Sequence, residues 1–203
     1  MPRIIEYAQV LERLTAEGLE CQYYNGGVFG FASGGVVRGW IESGDETIRQ
    51  EMREKVRAVP VAKMATLARR AWKDSLPGAV WVMPGSHWAF ELQYGSREWL
   101  AEHLRRIGIE PAEMQGRTNA AAIEFEPAEE AAFESSVSEI LGNLAASDFT
   151  MAFPGRATVC TIHHHRQLWW MSRNDGIISA LDRLMESDLT HPVVPAENQR
   201  HHG

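Results

Sequence analysis

Three consecutive histidines, His163-His164-His165, are the residues of this chain best suited to chemistry. Imidazole is a ligand for borderline transition metals and the side chain that titrates closest to neutral pH. The run closes a strand-like stretch from Ala157 to His163 and precedes Arg166-Gln167. Alternation along a strand puts His163 and His165 on one face, roughly 7 Å apart at a rise of about 3.3 Å per residue. Two imidazoles so placed can share one ion, and zinc then needs a third or fourth ligand from elsewhere. His87, Glu91 and Asp148 are the candidates for that position. Cys160 is not, because alternation puts it on the opposite face with Ile162 and His164. The competing expectation is a strand that ends in a solvated turn. A histidine cluster with no second anchoring motif does not define a metal site, so no residue is assigned as a metal ligand at this level.

Tryptophans accompany the histidines. Trp81 and Trp88 flank Pro84-Gly85-Ser86-His87, and Trp169-Trp170 must face opposite sides of a strand, one of them inward. With Arg156, Arg166 and Arg173 close by in sequence, such rings suit a pocket wall, although core filling is the commoner fate of Trp. The candidate ligand-binding set is therefore His87, Trp88, His163, His165 and Trp170. No catalytic residue and no cofactor is named by any motif. The chain lacks GxxxxGK[ST], GxGxxG, HExxH and GxSxG patterns. Asn25-Gly26-Gly27-Val28-Phe29-Gly30 has the glycines of a phosphate loop but is followed by strand formers, where a phosphate loop requires a helix.

The elements that position these residues follow from periodicity and punctuation. Ile4, Tyr7, Ala8, Leu11 and Leu14 predict a helix ended by Gly18. Leu19–Tyr24, a type I′ Asn25-Gly26 turn and Val28–Ala32 predict a hairpin, extended to a meander by Val36–Glu42. Ser43 and Glu46 form a capping box for a helix that buries Ile48, Met52 and Val56. A second helix spans Val61 to about Leu76. Val80–Met83 and His87–Tyr94 read as strands, Trp99–Ile107 as a helix, and Ala120–Phe125 as a strand. Pro127 suits the first turn of a helix carrying Phe133, Val137, Ile140, Leu141 and Leu144. Phe149–Phe153, Ala157–His163 and Leu168–Met171 form a last meander, and Asn174 caps a final helix. The order α-βββ-αα-ββ-α-β-α-βββ-α, with tight turns between most strands, predicts an α+β fold on a mainly antiparallel sheet. Residues 1–188 are expected to form one domain and 189–203, with Pro192 and Pro195, a flexible C-terminal tail.

Composition bounds the function. The 203 residues are 44% hydrophobic with seven Trp, enough for a core without disulfides, and Cys21 and Cys160 lack any metal-ribbon spacing. No apolar signal core opens the chain and no run reaches the roughly 20 apolar residues of a spanning helix, so a cytoplasmic protein with no membrane partner is expected. The net charge of −7 argues against nucleic acid. Charge is segregated, however. Residues 47–73 hold eight cations against two glutamates, with Arg49, Arg53 and Arg57 as a stripe. Residues 118–155 hold seven acidic side chains and no cation. That acidic segment, in the same chain or in a second copy, is one partner for the stripe, which leaves a homodimer as an option. The leading functional expectation is a module that binds a small-molecule ligand or a protein partner. The alternative is a metal-assisted hydrolase centred on His163 and His165.

Overall fold

An eight-stranded sheet organises the chain in a computed structural model, which describes residues 1–42, 55–95, 97–145 and 147–189. Its strands are β1 (Arg3–Ile5), β4 (Val36–Ile41), β5 (Val56–Ala58), β6 (Val80–Pro84), β7 (Ala122–Phe125), β8 (Phe149–Phe153), β9 (Thr158–His163) and β10 (Gln167–Ser172). They lie in the order β1-β7-β6-β8-β9-β10-β4-β5. Every pairing is antiparallel except β4 with β5. The α+β class and the mainly antiparallel sheet are as expected.

Four long helices, α2 (Val61–Ser75), α4 (Arg97–Arg106), α6 (Glu130–Asn143) and α7 (Asp175–Leu189), and the short α5 (Pro111–Gln115) contribute to the core on one face of the sheet. In α2 the inward residues Met64, Leu67, Ala68, Ala71 and Trp72 recur at helical spacing, and Pro77 with Gly78 at φ 119° ends the run. These side chains meet Val82, Ile123, Phe149, Met151, Cys160, Ile162 and Trp170 of the sheet. The opposite face carries α1 (Tyr7–Ala16) and a separate hairpin of β2 (Leu19–Cys21) and β3 (Phe29–Phe31), packed on Trp81, Met83, Ala122, Ala152 and Val159. Strand β8 is buried along its whole length because both faces are covered there.

Several expectations are corrected. The hairpin and β4 do not form one meander: among the described residues β2 pairs with β3 alone, whereas β4 joins the main sheet beside β10. Of the Asn25-Gly26 pair only Asn25 takes positive φ, 57°, so the turn is not type I′. Instead the connection is held from outside. Tyr7 Oη donates to the Gly26 carbonyl at 2.9 Å, and the Asn25 carbonyl accepts from Ala120 N–H at 2.9 Å. Val56 is in strand β5 rather than in a helix. Pro60 favours extended backbone before it, and Val59 N–H reaches the Ile41 carbonyl at 2.7 Å. The remainder of that expected helix, with Ser43, Glu46, Arg49 and Arg53, lies outside the described residues, as do residues 190–203. The stretch His87–Tyr94 is helical, not a strand: α3 (Trp88–Phe90) runs into a π-turn at Glu91–Gly95. His87 Nδ1 caps it by accepting Phe90 N–H at 3.1 Å, and Trp88 and Glu91 turn inward one helical step apart.

The acidic segment meets cations of its own chain. Arg69 pairs with Glu130 at 2.9 Å and Glu134 at 2.7 Å, Lys73 with Glu130 at 2.7 Å, and Arg106 with Glu139 at 2.8 Å. No helix among the described residues is long and apolar enough to cross a membrane.

Candidate functional site

Register fixes where the histidines stand. Pro84 pairs with Phe149, Phe149 with Ile162, and His163 with Gln167, so the end of β6, the start of β8 and the β9–β10 turn share one end of the sheet. The loops there touch through backbone. Gly85 N–H donates to the Asp148 carbonyl at 2.6 Å, and the Gly85 carbonyl accepts from Gly27 N–H at 3.2 Å. A side chain would separate them: a Cβ on Gly85 would lie 2.8 Å from the Asp148 carbonyl oxygen, and one on Gly27 2.3 Å from that of Pro84. These two glycines are sites of close backbone approach, not of a phosphate cradle.

Strand β9 stops at His163. His164, His165 and Arg166 form the turn, closed by Arg166 N–H on the His163 carbonyl at 3.0 Å with Arg166 at φ 59°. Alternation therefore ends one residue before His164, and the expectation that its ring faces away is corrected. All three rings gather. His163 stacks on His164 at 4.1 Å between centroids, and His165 meets them edge-on at 4.9 Å and 4.4 Å. One ligating nitrogen from each lies within 4.8 Å of the other two.

Asp148 anchors the group. Its Oδ1 accepts the His164 backbone N–H at 3.1 Å and His164 Nδ1 at 2.9 Å. Its Oδ2 faces His163 Nε2 at 3.9 Å. His163 Nδ1 accepts the backbone N–H of His165 at 3.3 Å. The side chains of His163, His164 and Asp148 are each about a quarter to a third exposed, and His165 is exposed.

Of the remaining candidates, Glu91 is fully buried behind the site, where its Oε1 accepts the Ser86 hydroxyl at 2.6 Å and the Ser147 hydroxyl. It braces the residue beside Asp148 rather than joining the rings. His87 spends Nδ1 on its cap and sits edge-on to Phe90. Trp88 and Trp170 lie beneath, in the apolar core. Trp88 Nε1 donates to the Ala121 carbonyl at 2.6 Å, and Trp170 is packed between Phe153 and Trp40. Both are at most 1% exposed. Cys160 points to the helical face, where burial pushes its thiol pKa well up and keeps it protonated. Sequence reasoning missed His164, Ser86 and Ser147. The signal for His164 was present, because the short gap between the strand ending at His163 and the strand expected from Leu168 calls for a tight turn.

Chemically, three imidazoles around one point form a nitrogen donor set suited to zinc, copper, nickel or cobalt. Tetrahedral zinc at 2.0–2.1 Å places its nitrogens about 3.3 Å apart. Ring rotations on an open turn can close the difference from 4.8 Å. Compared with known protein families, curated proteins and solved structures, this chain matches none.

Proposed function

We propose that this chain is a binding module whose small ligand is a divalent transition-metal ion of the zinc class, held by His163, His164 and His165. The observation that carries this reading is the convergence of three ring nitrogens within 4.8 Å at the end of the sheet. A shared carboxylate and the tight turn hold them together here.

The test uses the full-length chain with His191, His201 and His202 replaced by glutamine, which removes competing imidazoles. Calorimetric titration with zinc is expected to give one ion per chain, with stabilisation against heat of about 4 kcal/mol at a thousandfold excess over the dissociation constant. His163→Ala, His164→Ala and His165→Ala should each weaken binding. A chain that takes up no zinc, or takes it up equally after all three substitutions, refutes the reading.

A further inference from the structure

The donor set leaves a question that decides what a bound ion can do: whether Asp148 is a fourth ligand, which closes the site, or stands behind the ligands. We infer that Asp148 is a shared orienting carboxylate and that the ion at His163–His165 keeps one coordination position open for an exogenous anion. This rests on the metal-binding reading above.

The hydrogen bonds assign the tautomers of the rings. Asp148 Oδ1 accepts from His164 Nδ1 at 2.9 Å, so that nitrogen carries the proton and Nε2 carries the lone pair. His163 Nδ1 accepts a backbone N–H at 3.3 Å, so the neutral ring carries its proton on Nε2, and Nε2 faces Asp148 Oδ2 at 3.9 Å. One oxygen of the carboxylate accepts from His164 Nδ1, and the other stands 3.9 Å from His163 Nε2, within electrostatic reach but beyond hydrogen-bond range. The first contact is the arrangement by which a carboxylate fixes ring orientation and raises ligand basicity in metal sites, and the second oxygen adds its charge beside the neighbouring ring. The lone pairs left for an ion are His164 Nε2 and His163 Nδ1, the latter released by giving up the longest hydrogen bond of the cluster. His165 supplies the third.

Asp148 is poorly placed to ligate as well. Moving Oδ1 onto the ion would break both bonds to residue 164, and Oδ2 stands by the protonated Nε2 of His163 rather than by the Nδ1 lone pair assigned to the ion. The Asp148 main chain is also tied down, through its carbonyl to Gly85 and through neighbouring Ser147 to buried Glu91. Three nitrogen ligands with no fourth protein ligand describe an open site. The fourth position opens to solvent, because His165 is exposed and the other two rings are partly so. Its occupant is water or a small anionic Lewis base such as a carboxylate, azide or bicarbonate. Such an exchangeable position is also what metal-assisted hydrolysis would require.

Cobalt(II) substitution tests this in the same full-length, tail-histidine-free chain. The visible d–d bands of the cobalt protein are expected to shift saturably on titration with azide. Asp148→Asn should lower metal affinity about 10- to 100-fold while the bound cobalt still responds to azide, as an orienting role requires. Cobalt that binds but ignores azide in the parent overturns the open position. Azide sensitivity that appears only in Asp148→Asn identifies Asp148 as the fourth ligand and overturns its orienting role. Failure to bind cobalt or zinc at all refutes the metal site itself, a different result from either. The parent titration needs no variant to fold.

Discussion

Trp169 and Gly39 test the register that carries the histidine turn. Gly39 on β4 stands opposite Trp169 on β10, and the indole lies across it. A Cβ at residue 39 would come 2.7 Å from Trp169 Cζ3, 3.0 Å from Cε3 and 2.9 Å from Val56 Cγ1. Ordinary carbon contacts begin near 3.5 Å, so the ring must retreat by roughly 0.5–1 Å. Retreat strains the bond from Trp169 Nε1 to Gln167 Oε1 at 2.8 Å, and Gln167 is the residue paired with His163. Two effects oppose each other in Gly39→Ala. Removing a strand glycine stabilises by about 0.5–1 kcal/mol, and overpacking costs about 1–3 kcal/mol. Overpacking wins, and the expected result is a net loss of about 1–2 kcal/mol in urea unfolding. In a Trp169→Ala background the two ring contacts are gone and the Val56 methyl remains, so the same change should cost much less. The coupling between the sites should then be about 1–3 kcal/mol. Equal costs in the two backgrounds would show that the indole does not lie over Gly39, and the β4–β10 register would have to be redrawn.

Three further outcomes are expected. Gly27→Ala meets a backbone oxygen that cannot rotate away, so it should cost about 3 kcal/mol and weaken zinc binding with it; a neutral variant would mean that the loops at that end of the sheet separate freely. His103, 3% exposed with Nε2 on Ser136 Oγ at 2.8 Å, has its pKa lowered by burial and then by Arg106. The unfolded chain therefore binds the proton more readily. Stability should be unaffected by this group above about pH 6.5 and fall below it by up to about 1.4 kcal/mol per pH unit. His103→Gln should remove that slope, and stability curves for parent and variant that run parallel between pH 7.5 and about 5 would sink the assignment. Glu130→Gln loses two partly exposed ion pairs and should lower stability slightly at low salt, the loss vanishing near 1 M; a penalty that persists at 1 M would place the cost in packing instead.

Local pattern carried much of the architecture. Helix α2 was legible because Met64, Leu67, Ala68, Ala71 and Trp72 repeat at helical spacing before Pro77-Gly78. Strands β8 to β10 were legible from short apolar runs between turn residues. Asn174 does cap α7, its Oδ1 accepting from Gly176 N–H at 2.9 Å. Where expectation failed, a local signal was outweighed by a distant partner. Trp88 and Phe90 favour strands, yet the segment is helical, with Trp88 and Glu91 buried beneath Ser147 and Ala121. Asn25-Gly26 favours a type I′ turn, yet contacts to Tyr7, Gly85 and Ala120 set its path.

The same division holds at the site. Residue types alone identified the histidine run as the chemical feature and His87, Glu91 and Asp148 as candidates to join it from elsewhere, because ligand chemistry belongs to the side chain wherever it stands. Which rings converge was a matter of where β9 ends. A period-two rule holds only while the strand continues; β9 ends at His163, and the turn through His164–Arg166 leaves the His164 ring stacked on that of His163. The placement of Asp148 under two imidazoles, 15 and 16 residues away in sequence, depends on β8 and β9 lying side by side. Hydrogen bonds across a sheet are made between residues that sequence spacing does not relate, and only the assembled sheet decides them.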